Sequence, residues 1–168
     1  MTKIRTLALL GCLGLAGCGF SPVYGSHGTT DDNTPVAVAL NDISIENIPD
    51  RDGQVLRNYL IDRMYGKNRP EHPAYKLTVK LHFTEASLGI LANATATRAL
   101  LTMEGDYTLS DAKDNEMVSG HARSVASFDL LDQIYGSVVA RQNAHERTLH
   151  EISEQITNRI SLYFSESK

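Results

Sequence analysis

The sequence has 168 residues and a formal net charge of −4, with 42% hydrophobic and 21% charged residues, values typical of one globular domain. Sixteen lysines and arginines stand against twenty acidic residues, with no basic run. This balance lacks the positive patch that a phosphate backbone requires, so we expect no nucleic-acid partner. A chain of this length buries enough surface to fold without a disulfide or a structural metal.

The N-terminus has the pattern of an export signal. Lys3 and Arg5 precede an apolar run over residues 6–15, which is too short to span a bilayer as a helix. The segment Leu15-Ala16-Gly17-Cys18 that follows resembles the lipobox of bacterial lipoproteins, in which the cysteine thiol receives a diacylglyceryl group. We therefore predict a signal peptide over residues 1–17 and lipidation at Cys18. The alternative is an ordinary signal peptide that contains a cysteine by chance.

The expected mature chain begins with an anchor and a tether. Residue 19 is Gly, whereas an Asp there would, by resemblance to the lipoprotein sorting pattern, favour the inner membrane. We therefore expect the outer membrane. Residues 18–35 are rich in Ser, Gly, Thr, Asp, Asn and Pro, a composition too polar to pack, and they predict a flexible tether. A single domain is expected over residues 36–168.

The domain opens with a predicted strand and a predicted helix. The β-branched residues 36–40, continuing to 43–45, predict a strand that Pro49 closes. The helix is expected to begin near Asp50 or Asp52, either of which can cap its first turn, and to end at Gly66. Its apolar residues share one face: Leu56, Tyr59, Leu60 and Met64.

Three strands and a long helix follow. Apolar and polar residues alternate over residues 75–84 and again over 95–110, which predicts two strands with one apolar face each. A turn at residues 111–115 leads into a fourth strand from Glu116 to about residue 127, paired antiparallel because the connection is so short. The last helix is expected over residues 136–164, and its apolar stripe is spaced by three and four residues: Leu149, Ile152, Ile156, Ile160 and Tyr163.

These elements predict an α+β fold, a two-layer sandwich in which two helices cover one face of a four-stranded, mostly antiparallel sheet in the order β-α-β-β-β-α. The other face of the sheet carries Lys76, Lys80, His82 and Arg98. Two interpretations stay open for it: an ordinary solvated face, or a surface for an anionic ligand such as lipid phosphates. The small residues of the fourth strand specify its register only weakly.

The sequence contains no pattern that requires catalysis. His145 and His150 are five residues apart, so they do not share the helix face that a zinc site needs. Asp50 and Asp52 lack the further oxygen ligands of a calcium loop. We therefore predict no enzyme activity, no catalytic or metal-binding residue and no cofactor.

Several segments resemble the alphaproteobacterial branch of the LPS-assembly lipoprotein family, LptE, and the resemblance covers nearly the whole chain. It rests on the residues from Cys18 to Gly25, the stretch from Ile48 to Asn58, the motif Ala96-Thr97-Arg98-Ala99 and the C-terminal helix that ends in Leu162-Tyr163-Phe164. A Gly follows Tyr135 where the family more often has Ala. The motifs are specific enough to predict a function.

The resemblance implies an outer-membrane lipoprotein that forms a complex with the LPS-assembly β-barrel protein (LptD-like), acts as its plug and assembly factor, and binds lipopolysaccharide. It implies two helices on a four-stranded sheet and a domain that faces the periplasm or the barrel lumen. Lys76, Lys80 and Arg98 are the candidate lipopolysaccharide contacts. Two other functions stay open: a lipoprotein that scaffolds another envelope complex, as a pilotin does, and a lipoprotein that binds a small molecule.

Overall fold

The structure is a computed structural model that describes residues 35–65, 69–90, 96–130 and 134–166, without the side chains of residues 89, 90, 96 and 97. The predicted signal peptide, Cys18, the tether up to residue 34 and the expected helix end at Gly66 lie outside the described residues.

Three helices and four strands alternate along the described part of the chain. In order they are α1 (Pro35–Asn41), β1 (Ile43–Ile45), α2 (Asp50–Met64), β2 (Tyr75–Ile90), β3 (Ala96–Asp111), β4 (Glu116–Asp129) and α3 (Ile134–Glu166). The strands form one sheet in the order β1-β2-β3-β4. β1 is parallel to β2, and the other two pairs are antiparallel. The predicted α+β fold with a four-stranded, mostly antiparallel sheet is confirmed, and α1 is an additional helix.

Residues 36–40 belong to helix α1, so the prediction of a strand there was wrong. Pro35 occupies the first helical position, where its missing N–H is not needed, and the alanines that alternate with the valines favour a helix. Only Ile43–Ile45 remains as β1. A short apolar run fits a strand or a buried helix equally well by periodicity, and here the packing of α1 against α2 and α3 decides the outcome.

One face of the sheet, the inner face, is apolar and supports the helices. The inward residues of β3 are buried as predicted, and so is the stripe of α3 except Tyr163, which is half-buried. The buried residues are Ala99, Leu101, Met103, Tyr107 and Leu109, with Leu149, Ile152, Ile156 and Ile160. Phe83 departs from this pattern, because it lies at an inward position of β2 but stays 49% exposed. Its aromatic partner among the described residues is the ring of His145, with centroids 4.9 Å apart.

Helix α2 starts as predicted but is not capped as predicted. Asp50 itself is the first helical residue, with φ of 64°, and the preceding Pro49 makes no side-chain hydrogen bond to the first turn. The Asp52 carboxylate contacts His145 of α3 instead, with Oδ2 2.7 Å from Nδ1. The predicted cap is therefore replaced by a link between the two helices. Both carboxylates still lie at the N-terminal turn, where negative charge is favourable.

Helix α3 is long, at about 50 Å for a rise of ~1.5 Å per residue, and it carries polar residues within its buried stripe. Thr148, Thr157 and Ser161 are buried, and each hydroxyl donates to a carbonyl one turn earlier in the same helix. The helix itself thus satisfies these donors, as buried polar groups require. In the described part of the chain, no helix combines the length and the apolar character that crossing a membrane demands.

Candidate functional site

The face of the sheet opposite the helices, the outer face, presents the charged side chains of three strands. The register places Lys80, Asp106 and His121 side by side across β2, β3 and β4. Two residues further along each strand, it places His82, Glu104 and Arg123 side by side in the same way. Side chains two residues apart on a strand share a face. These six residues, the charged block, therefore lie together on the outer face.

Within the charged block, the central strand supplies the carboxylates and the two flanking strands supply the bases. Glu104 accepts from His82 Nε2 at 3.0 Å and pairs with Arg123 Nε at 3.2 Å. Asp106 Oδ1 lies 2.8 Å from His121 Nδ1. Opposite charges on facing positions of neighbouring strands stabilise a sheet. The block consequently neutralises much of its own charge.

The three predicted lipopolysaccharide contacts all lie on the outer face, but they do not form one cluster. Lys76 is four residues from Lys80, and Arg98 faces Leu88, eight residues beyond Lys80. At ~3.3 Å per residue these separations are roughly 13 and 26 Å, too far for one phosphate to bridge. The structure therefore separates the three cations along the sheet.

Two of these three cations already have acidic partners. Lys76 Nζ donates to the Asp114 carboxylate, and this hydrogen bond is the main reason why the pKa of Lys76 is raised above its ordinary value of 10.5. Arg98 Nε donates to Asp129 Oδ1 at 2.9 Å. Among the described residues, Lys80 makes no ion pair within 4.0 Å, so it is the most available of the three.

Between the charged block and the Arg98–Asp129 pair, the outer face carries apolar side chains together with the hydroxyl groups of Thr84, Thr102 and Ser127. Leu88 is 41% exposed and Val125 is 43% exposed, with Ala86 and Leu100 beside them in the register. We call these four residues the apolar patch. Exposed apolar groups that adjoin each other and are rimmed by charges are typical of an interaction surface. The outer face thus offers both charged and apolar contacts to a partner.

The charged block leads to a prediction about Asp106. The hydrogen bond from His121 holds the pKa of this carboxyl below its ordinary value of 3.8, helped by the charges of His121, His82 and Lys80. A lowered folded-state pKa stabilises the fold above pH 3.8, and the contribution is lost as the pH falls through the folded-state value. We expect His121→Ala to raise the pKa of Asp106 towards 3.8, as measured by NMR titration of its carboxyl carbon. His72→Ala, at an exposed residue on the loop before β2, is the control and should leave that pKa unchanged. A pKa of Asp106 that stays as low in His121→Ala as in His72→Ala would contradict the assignment.

The basic residues of β2 and β3 were predicted from the sequence, whereas the two bases of β4 that pair with carboxylates of β3 were not. His121 and Arg123 were not identified because the fourth strand is small on both faces and its register was open. The predicted turn at residues 111–115 carried the missing signal. A hairpin across that turn places Glu104 opposite Arg123. An irregularity between Leu109 and Ser110 shifts the pairing register by one residue. Lipidation at Cys18 lies outside the described residues.

The sequence and the fold both resemble known proteins. A family model described as LptE, lipopolysaccharide-assembly, matches residues 37–160, which is well over half of the chain. No curated protein matches the sequence. The fold resembles a protein from Caulobacter crescentus described as a lipoprotein, with a TM-score of 0.65 and 24% identity over 80% of this chain and 98% of that one.

Two further solved structures share the architecture. A minor lipoprotein from Acinetobacter baumannii aligns with a TM-score of 0.54 and 18% identity, over 71% of this chain and 90% of that one. An uncharacterized lipoprotein B from Nitrosomonas europaea aligns with a TM-score of 0.58 and 15% identity, over 74% and 84% of the two chains. At these low identities the structural matches support only the fold. The relationship to a family rests on the sequence match over residues 37–160.

Proposed function

This chain belongs to the LptE family of lipopolysaccharide-assembly proteins, and from that membership we propose that it is the plug of the outer-membrane β-barrel that inserts lipopolysaccharide. Membership itself assigns the chain a role in lipopolysaccharide assembly in the cell envelope. The finer proposal is an outer-membrane lipoprotein, anchored through Cys18, that binds an LptD-like barrel protein and assists its assembly. We propose no catalytic step and no cofactor.

The outer face of the sheet is the observation that best supports a plug. The lumen of a large membrane barrel is polar, so a protein that fills it must bury polar side chains against polar walls. Burying an unpaired charge is costly, whereas paired and hydrogen-bonded charges are tolerated. Glu104 already holds His82 and Arg123, one on each side, and Asp106 holds His121. The charged block can therefore enter such a lumen with every charge except that of Lys80 paired.

The same face supports a contact with lipopolysaccharide. Its lipid portion carries phosphates and acyl chains, which call for a cation beside an apolar surface. Arg98 borders the apolar patch at Leu88. To bind a phosphate, its guanidinium must first give up the ion pair with Asp129. Lys80 is free of an ion pair among the described residues, but it lies within the charged block. We propose Arg98 and Lys80 as phosphate contacts, and Lys76 as a weaker one because Asp114 engages it.

Purification of the acylated, full-length protein from its own outer membrane in mild detergent tests the plug. We expect a large LPS-assembly barrel protein to be recovered with it at one-to-one stoichiometry by mass spectrometry. A stoichiometric secretin instead would favour the pilotin-like alternative. Recovery of no stoichiometric partner would also contradict the proposal.

A charge reversal tests the surface. Glu104→Lys places a third base between His82 and Arg123, so the block becomes positive and both pairs of Glu104 are lost. We expect the recovered barrel protein to fall about tenfold, because like charges within a buried interface cost several kcal/mol. Glu146→Lys, on the exposed side of α3, is the matched control and should leave recovery unchanged. Equal recovery with both variants, each folded by circular dichroism, would exclude the charged block from the interface.

A further inference from the structure

Strand β4 is the edge of the sheet, and one side chain of α3 already pairs with that edge. The backbone N–H of Arg123 donates to Gln155 Oε1 at 3.2 Å, and Gln155 Nε2 donates to the Arg123 carbonyl at 3.0 Å. These two bonds reproduce what the peptide group of an additional strand would make. The Arg123 backbone therefore points away from β3, and Gln155 takes the place of a fifth strand at this residue.

The rest of the edge follows from the alternation of an antiparallel ladder. Every second residue of an edge strand directs its N–H and C=O outward, so Ser119 and His121 share the orientation of Arg123. Among the described residues, the outward backbone groups of Ser119 and His121 have no hydrogen-bond partner. Unpaired edge groups of this kind accept an extended peptide as an additional strand.

A groove of about 380 Å³ runs between this part of β4 and the C-terminal half of α3. Gly120 creates space in it. A Cβ at residue 120 would lie 2.5 Å from the hydroxyl oxygen of Tyr107, so the phenol reaches under the strand only because residue 120 has no side chain. A second, adjoining hollow of about 290 Å³ shares Tyr107, His121, Arg159 and Leu162 with the groove and adds Gln155 and Asn158. An extended segment therefore has room beside the free edge.

The polar groups of the groove favour an acidic ligand. The Arg159 guanidinium makes no ion pair with any described residue, and the Tyr107 hydroxyl makes no hydrogen bond there. Burial raises the pKa of Tyr107 above its ordinary value of 10.0, so the phenol is a neutral donor at physiological pH. Asn158 adds a further donor in the adjoining hollow. The one carboxylate among the lining residues is Glu166, which lines the groove but not that hollow.

We propose that the edge of β4 at Ser119 and His121 binds an extended, acidic segment of a partner protein as an additional strand. Its main chain pairs with the outward N–H and C=O groups of the two residues, and its carboxylate contacts Arg159 and the Tyr107 hydroxyl. The inference rests on the proposed function, since the segment is assigned to the barrel partner. A second copy of this chain fits the edge less well. In a symmetric pair of β4 strands, the Gln155 side chain of each copy would occupy part of the edge that the other strand needs.

Hydrogen exchange tests the pairing on the acylated, full-length protein, free and in the complex purified with the barrel protein. Exchange is read at single residues by fragmentation. In the complex, the amides of Ser119 and His121 are expected to exchange at about one tenth of their rate in the free protein or more slowly, since a main-chain hydrogen bond protects them. The Arg123 amide, already bonded to Gln155, should change less. If the barrel protein is recovered and both amides exchange as in the free protein, the strand is not added and the inference fails while the plug function stands.

A proline substitution separates pairing from simple burial. Ser119→Pro removes an outward N–H, which an edge strand tolerates without loss of its inner ladder. We expect the barrel protein to dissociate about fivefold faster from this variant, the effect of one lost hydrogen bond. Ser127→Pro, at an outward position of β4 beyond Gln155, is the control and should dissociate like the wild type. Equal rates for the two variants would overturn the strand addition.

Charge reversal at the groove is the second variant, in case the proline prevents folding. Arg159→Glu places a carboxylate next to the acidic segment. We expect the barrel protein to dissociate about tenfold faster or more from this variant, because like charges repel. An unchanged rate would overturn the acidic character of the ligand. If no barrel protein is recovered even with the wild-type protein, the proposed function fails, and the inference fails with it.

Discussion

Replacing Ile152 by alanine is expected to lower the free energy of unfolding by about 3 to 4 kcal/mol, within the range for isoleucine-to-alanine changes in a core. Ile152 lies in the middle of α3 and has no exposed surface. Its Cγ2 packs over Gly105 of β3, only 3.4 Å from where a Cβ would stand. The substitution leaves a cavity between helix and sheet that neither the helix nor the flat glycine surface can close. Urea unfolding of the domain, followed by circular dichroism, measures the loss.

The same substitution near the start of the same helix provides the control. Ile134 is 83% exposed, so Ile134→Ala removes a side chain that already contacts solvent. We expect a change within about 0.5 kcal/mol, as for other surface substitutions. Similar losses from the two variants would contradict the packing of α3 on the inner face.

Cys18→Ser is expected to abolish lipidation completely. The diacylglyceryl group is attached through a thioether, and a serine hydroxyl provides no sulfur for that bond. Metabolic labelling with an alkyne fatty acid should mark the wild-type protein and leave the variant unlabelled. Since the lipoprotein peptidase acts on the lipidated form, the variant should also keep residues 1–17. Two or more acyl chains are needed for stable anchoring, so we expect this one sulfur atom to decide whether the protein is anchored in the membrane.

Cys12→Ser is the matched control for the anchor. Cys12 is the other cysteine of the sequence and lies within the predicted signal peptide, so its replacement should leave both labelling and cleavage unchanged. Label on the Cys18→Ser protein, or loss of label from the Cys12→Ser protein, would contradict the lipobox prediction.

The strands with strict alternation could be predicted from the sequence. Leu77 and Val79 of β2 and the inward residues of β3 are buried where the period of two places them. Beyond Thr84 the alternation fades, and the sequence did not reveal that β2 continues to Ile90. That end is held by its pairing with β3, a long-range interaction that a local pattern does not encode.

The remaining errors have the same physical origin. Residues 36–40 fit a strand or a helix by their local pattern, and the contacts of α1 with two other helices make them helical. Asp52 could cap a helix, and His145, far away in sequence, takes its carboxylate instead. On the outer face the bases of β2 were visible in the sequence, whereas the pairing of the β4 bases with carboxylates of β3 depended on a register that only the folded hairpin fixes. In each case the local sequence allows two conformations or pairings, and contacts with residues distant in sequence determine which one forms.

The short first strand determines how the domain responds to force. β1 pairs with β2 over three residues, whereas β2 and β3 pair along almost their whole length. A protein held at its N-terminus receives any pull through α1 and β1 first. Burial of Ile43 and Ile45 and hydrogen bonds from Tyr65 and Arg57 to carbonyls of β1 also hold this strand. Because its ladder is the shortest in the sheet, we expect α1 and β1 to detach before the three antiparallel strands and α3 separate. With Cys18 lipidated as proposed, we expect the detached segment to lengthen the predicted tether while the three antiparallel strands stay folded.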